Sequence, residues 1–252
     1  EEDIPDISSL LVSGNKIWVG TYEGLYVIEK GEKARCLVDG PEFYRLFESS
    51  SGEVWAGCRT GGLYRIMPDE KVVWYSDSKA EPYHIESNQI RSFAEDRFGN
   101  IWFGTFLGLH KYNPYTDKFT VYRQDHLPGS LSHSSVFSVY IDAQATIWVG
   151  TYYGGANYFN PEKEIFAHYT DNPFRKECLN YSFVGHLAED KNGNIWICTE
   201  GGGLNFMDRK TRTFKYFTAG PSNSVLQNNL KCIAYDEKRD QLYIGTHHGG
   251  LT

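Results

Sequence analysis

Five short runs along the chain are apolar at adjacent positions instead of alternating. They are Ile17-Trp18-Val19, Val54-Trp55-Ala56, Ile101-Trp102-Phe103, Ile147-Trp148-Val149 and Ile195-Trp196-Ile197, with a sixth at Leu242-Tyr243-Ile244. Each runs into a small-residue pair, Gly-Thr in most copies. A strand that is apolar on both sides must be covered on both sides. Around each run the pattern reverts to short β-rich stretches broken by turn residues. In the third unit these are residues 90–96, 101–105, 108–113 and 118–123. Asp96, Gly99 and Asn100 punctuate the first pair, and Asn113 to Asp117 the last pair, as hairpin loops require. Residues 136–142, 147–151, 155–161 and 165–170 repeat this in the fourth unit. Residues 183–190, 195–199, 203–208 and 214–218 do so in the fifth. One unit is one four-stranded antiparallel meander.

Trp18, Trp55, Trp102, Trp148, Trp196 and Tyr243 mark the copies, at intervals of 37, 47, 46, 48 and 47 residues. A period of about 40 to 50 residues made only of strands predicts an all-β chain, a β-propeller of four-stranded antiparallel blades. The blades are expected at about 6–38, 42–76, 90–123, 136–170 and 183–218, with an incomplete one at 230–252. The whole chain then reads as one partial propeller of about five and a half blades, a piece of a larger one. Stacked blades cover both faces of each second strand, and the indole fills the gap between neighbours. Burying an indole stabilises by a few kcal/mol, at ~25 cal/mol per Å² over ~150 to 250 Å². Gly104 and Gly150, two residues after the Trp, read as positions of close approach.

Charge narrows the function. Lys and Arg number 25 against 32 Asp and Glu, and there is no basic run, so nucleic acid is not an expected partner. No apolar stretch is long enough to span a bilayer, so no direct membrane contact is expected. The cysteines are Cys36, Cys58, Cys178, Cys198 and Cys232, without a C-x-x-C pair. Cys58 stands in the place of the recurring Thr and Cys198 in that of the recurring Gly, so both read as small buried strand residues. No cofactor is expected, and no metal. Asp190, Asn192 and Asn194 imitate a calcium loop, but Gly193 comes too early and the distal Glu is missing. His247 and His248 adjoin at a strand end, where consecutive side chains are expected to diverge.

The motif IWVGT-x-x-G-G-L, preceded by A-E-D-x-x-G-N and followed by segments such as YNPYTDKFTVY at 112–122, resembles the two-component regulator propeller repeat. The loop at 127–140, with its Ser-Leu-Ser, resembles that family's inter-blade segment. The resemblance covers almost the whole chain. It implies the periplasmic sensor region of a Bacteroidetes-type hybrid two-component system. Such a sensor has two seven-bladed propellers and a small β-sandwich, followed by a membrane helix, histidine kinase, receiver and DNA-binding domain. It also implies recognition of glycan breakdown products and control of polysaccharide-utilisation genes. This chain is short of that pattern and holds no kinase motif, so the rest of the sensor is an expected partner and signalling belongs to the intact protein.

The two positions after Gly-Thr vary between copies while the frame repeats, and variation on a fixed frame suits recognition. Aromatic faces and planar polar groups suit sugars. The expected oligosaccharide-binding residues are therefore Tyr22, Arg59, Tyr152, Tyr153, Glu200 and His247, with Arg175 and Asn228 from inter-blade loops. No catalytic residue is assigned and the chain is not expected to be an enzyme. One alternative is a propeller glycoside hydrolase or lyase, which needs two carboxylates flanking a cleft. Most carboxylates recur at equivalent turn positions, such as Glu95-Asp96 and Glu189-Asp190, leaving Glu23 and Glu200 on the loop-bearing face. The other alternative is an interaction scaffold. In it two copies form a homodimer through the strand at 241–246 and the open face of the first blade.

Overall fold

Strands begin wherever the two-sided apolar runs and their flanking β-rich stretches occur, and break at the Gly, Asn and Asp turns. The computed structural model describes residues 6–125, 129–160, 165–171, 178–220 and 223–251. Among them there is no helix, and so none long and apolar enough to cross a membrane.

The first sheet is β1 (Ile7–Ser13), β2 (Lys16–Thr21), β3 (Gly24–Glu29) and β4 (Arg35–Asp39). The second is β5 (Phe43–Glu48), β6 (Val54–Cys58), β7 (Leu63–Ile66) and β8 (Val72–Tyr75). The third is β9 (Ile90–Glu95), β10 (Ile101–Thr105), β11 (Leu109–Asn113) and β12 (Lys118–Tyr122). The fourth is β13 (Val136–Ile141), β14 (Ile147–Thr151), β15 (Ala156–Asn160) and β16 (Ile165–Tyr169). The fifth is β17 (Val184–Glu189), β18 (Ile195–Thr199), β19 (Gly203–Asp208) and β20 (Thr213–Phe217). A short pair, β21 (Ala219–Gly220) and β22 (Asn223–Ser224), precedes the pair β23 (Leu230–Asp236) and β24 (Gln241–Thr246). Each four-stranded sheet pairs its strands in chain order, as a meander does. These are propeller blades, in an all-β chain. The chain divides into two compact units, Glu1–Val121 and Tyr122–Thr252.

Within each unit the core lies between consecutive sheets. In the first, Trp18 packs with Val54 and Ile66 of the second sheet, and Trp55 with Ile101 and Tyr112 of the third. In the second unit, Trp148 shares a buried cluster with Leu187, Ile195 and Ile197 of the fifth sheet. Trp18, Trp55, Trp102 and Trp148 are buried, and Trp196 is half-buried. The glycines after them are points of contact between sheets. A methyl on Gly57 would lie 2.7 Å from Ile90 Cβ, and one on Gly150 would collide with Ser138 and Val184. Cys58 and Cys198 are buried in strands, and burial pushes both thiols up, away from the reactive thiolate.

Three indoles are tied by a bond that the pattern of turns did not reveal. Asp96 Oδ2 accepts Trp102 Nε1 at 2.8 Å, Asp142 Oδ2 accepts Trp148 Nε1 at 2.7 Å, and Asp190 Oδ2 accepts Trp196 Nε1 at 3.1 Å. The other carboxylate oxygen holds the turn by accepting two backbone N–H groups, as Asp190 does from Asn192 and Asn194. The calcium-like spacing at 190–194 is therefore a turn whose carboxylate is already engaged. In the first two sheets Val12 and Ser49 stand six residues before the Trp, and the Nε1 atoms of Trp18 and Trp55 are buried without a partner among the described residues.

Candidate functional site

The loop joining the second and third strands of each sheet is built on the recurring threonine. Thr21, Thr105, Thr151 and Thr199 are fully buried, and each hydroxyl donates to the carbonyl that reopens the next strand, that of Gly24, Gly108, Gly155 or Gly203. Each also accepts a backbone N–H from within the loop, from Glu23, Leu107, Gly154 or Gly202. Two residues in the first and third sheets, and three in the fourth and fifth, are thereby held out from the sheet edge as a fixed tip. Cys58 replaces the threonine in the second sheet; its N–H donates to the Gly62 carbonyl and its sulfur accepts the backbone N–H of Gly61.

A second device supports the tips. In all six first strands the register slips by one residue opposite the Gly-Thr pair. The extra residues are Ser8, Tyr44, Arg91, Phe137, Gly185 and Lys231. Bulges re-aim a side chain at the end of a sheet, and here four of them reach the tips or the ring beneath one. The Arg59 guanidinium lies over the Tyr44 ring at 5.2 Å, and Arg91 over Phe106 at 5.0 Å. Phe137 meets Phe183 edge-on at 5.3 Å, and Lys231 pairs with Glu200 at 2.6 Å. Burial raises the Tyr44 hydroxyl above its ordinary value, against the pull of the neighbouring arginines. Sequence reasoning missed both devices. The Thr signal was present in every copy but one, while the bulge requires knowledge of pairing.

In the first unit, Tyr22 is 54% exposed, and Arg59 is exposed and held by Glu42 at 2.8 Å. Phe106 and Leu107, equivalent tip positions, are also exposed. In the second unit, Tyr152 packs edge-on against Phe183 at 4.5 Å and against Tyr153 at 4.3 Å. This leaves Tyr153 65% exposed as the outer ring of an aromatic stack. Glu200 is mostly covered, bonded to Lys231 and bridged through its backbone to Asn229. Asn228 serves the frame: its carbonyl accepts the N–H groups of Gly201 and Gly203, and its Oδ1 accepts that of Ala219. Arg175 lies outside the described residues. His247 and His248 do not diverge as expected, for their ring centroids are 3.9 Å apart. Both follow the end of β24, where strand alternation no longer separates neighbours. Tyr22, Arg59 and Glu23 thus belong to one unit and Tyr152, Tyr153, Glu200, His247 and Asn228 to the other.

The two-component regulator propeller model matches residues 84–106 and 178–201, two stretches that each join an inter-blade loop to a Trp-bearing hairpin. At these two stretches the chain matches the two-component regulator propeller repeat. Over 126 residues it is 29% identical to Histidine kinase P4 of Formosa agariphila, across 44% of this chain and 9% of that protein. The fold is shared with the extracellular domain assigned to the hybrid two component system BT3049 of B. thetaiotaomicron. The TM-score is 0.78 at 19% identity, covering 99% of this chain and 34% of that one. It is shared also with virginiamycin B lyase from Staphylococcus aureus, at TM-score 0.68 and 14% identity over 100% of this chain and 84% of that one. The repeats described here therefore span about a third of the extracellular domain and under a tenth of the kinase.

Proposed function

We propose that the chain is a ligand-reading part of a periplasmic sensor of the hybrid two-component type, and that its loop tips bind oligosaccharides released from polysaccharides. The carrying observation is the division of labour at each tip. The buried Thr and the bulged residue hold the loop, Tyr22 stands exposed in one unit, and in the other Tyr153 rests on Tyr152 with most of its surface open to solvent. Each unit thus combines an exposed aromatic face with a planar or charged polar group on its tips, Arg59 in one and the Glu200–Lys231 pair in the other, which suits stacking and hydrogen bonding to a sugar. The repeats and the likeness to a sensor's extracellular domain support the signalling context. Kinase control and transcription of utilisation genes then belong to the intact protein.

A non-enzymatic role is the better reading of the carboxylates. Asp96, Asp142 and Asp190 are spent on turns and indoles, and Glu200 is neutralised by Lys231. A thermal-shift screen of the intact sensor and of this chain against oligosaccharides tests the proposal. A ligand at 100 times its Kd adds about 2.7 kcal/mol of stability. The shift is expected to vanish in Tyr22→Ala or Tyr153→Ala; a response that survives both places recognition elsewhere. Self-association is a second reading, favoured by the exposed Leu10, Val12 and Ile17 of the first sheet. Light scattering that shows a strict monomer at high concentration would sink it.

A further inference from the structure

The second unit contains a cavity of about 210 Å³ between the fourth and fifth sheets. It lies at the end of the sheets formed by the 142–146 and 208–213 turns, away from the loop tips. Trp148, Tyr158 and Tyr169 wall it, Met207 lies beneath, and Thr146, Arg209 and Arg212 line its polar side.

The equivalent place between the second and third sheets is filled. There Trp55 and Tyr112 are buried and in ring contact at 5.1 Å. Arg65 lies over both rings and donates to Tyr112 Oη and Glu53, while Tyr112 Oη donates to Asp117 at 2.7 Å. Register maps one seam onto the other. Arg65 pairs with Trp55 as Tyr158 pairs with Trp148, and Tyr112 pairs with Ile101 as Met207 pairs with Ile195. Asp117 and Arg212 both take a positive φ, at 53° and 58°, and both close the same turn by an N–H bond four residues back. Glu53 and Thr146 both precede the apolar run. A ring, a cation and two acids that satisfy one another have thus become Met207, Tyr158, Thr146 and Arg212.

The exchange opens space and reverses the charge. Arg209 is compensated by buried Asp142 at 2.7 Å, and it donates to Thr146 Oγ1, leaving the Thr146 O–H to donate elsewhere. Arg212 has no acid beside it among the described residues. From this we infer that the cavity is a binding site for a single ring that carries a carboxylate, stacked against the aromatic wall with its carboxylate on Arg212 and Thr146. The volume is below the roughly 300 to 1,000 Å³ of sites for larger ligands, so it takes one ring. A guanidinium matches a carboxylate in a paired, charge-assisted geometry.

Calorimetric titration of the chain with galacturonate, benzoate and galactose tests this. Saturable binding is expected for at least one of the two acids, which distinguishes a sugar acid from an aromatic acid, and none for galactose. Arg212→Gln, at an exposed position, is expected to weaken binding about tenfold or more. Met207→Tyr rebuilds the filled seam and is expected to abolish binding without lowering the unfolding temperature. If that variant misfolds, Arg212→Gln still decides. Galactose binding as tightly as galacturonate, acid binding that persists in Arg212→Gln, or no saturable binding of any probe would each overturn the assignment.

Discussion

Asp142→Asn changes no volume and isolates the electrostatic part of the indole clamp. The wild-type carboxylate is fully buried and accepts the N–H groups of Gln144 at 3.0 Å and Thr146 at 2.8 Å, and the Trp148 indole at 2.7 Å. It also faces Arg209 at 2.7 Å. An amide can keep one oxygen for the two backbone donors, but its NH2 must then meet the indole N–H and the guanidinium, donor against donor. A hydrogen bond to a charged group contributes roughly 1.5 to 3 kcal/mol, and breaking a buried pair costs about 3 to 5. Glu189, 3.6 Å from Arg209, keeps part of the compensation, so the loss is expected near the lower end, about 3 kcal/mol. Hydrogen exchange of the β14 amides reads this locally, which suits a chain of two units better than a single unfolding midpoint. A double-mutant cycle with Trp148→Phe, which lacks the N–H, is expected to return a coupling of about 1.5 kcal/mol or more. A total loss below about 1 kcal/mol, or a coupling indistinguishable from zero, would refute the clamp.

Ser49→Asp supplies the missing partner of Trp55, because the turn at 49–53 has the same backbone bonds as that at 96–100; chemical denaturation is expected to show a gain of about 1 kcal/mol. Gly57→Ala drives a methyl against Ile90 and is expected to cost about 1 to 3 kcal/mol in the same measurement. His110 is wholly buried against Phe103, and burial lowers its pKa from an ordinary 6.5 to about 4. The folded state resists the proton, so its stability is complete above pH 6.5 and declines as pH falls toward about 4; His110→Phe is expected to flatten that slope in a pH series of melts.

The blades were legible because their signals are local. In the third sheet the expected runs 90–96, 101–105, 108–113 and 118–123 became strands at 90–95, 101–105, 109–113 and 118–122. Two-sided apolar triplets and Asn, Asp and Gly turns determine such elements within a few residues of chain. What escaped was relational. Asp96 and Asp190 looked like turn formers alone because the second oxygen of each serves a side chain six residues on. The bulge that aims Tyr44 beneath Arg59 exists only in the pairing of β5 with β6. The two histidines at 247 and 248 meet because strand alternation stops where the bend begins.

The cavity was hidden for a related reason, and its persistence needs explanation, since a well-packed protein closes space when a side chain shrinks. Met207 cannot move toward Trp148, because β19 is hydrogen-bonded on both sides, to β18 and β20. Trp148 cannot move toward Met207 while Asp142 holds its Nε1, and Tyr169 stacks on it within 11° of parallel. Cores relax only partly around lost volume even where nothing clamps them. The bond that secures the blade seam is therefore also what keeps this seam open. Asp142→Asn is therefore expected to loosen the indole and weaken carboxylate binding together, although Asp142 is not among the residues that line the cavity.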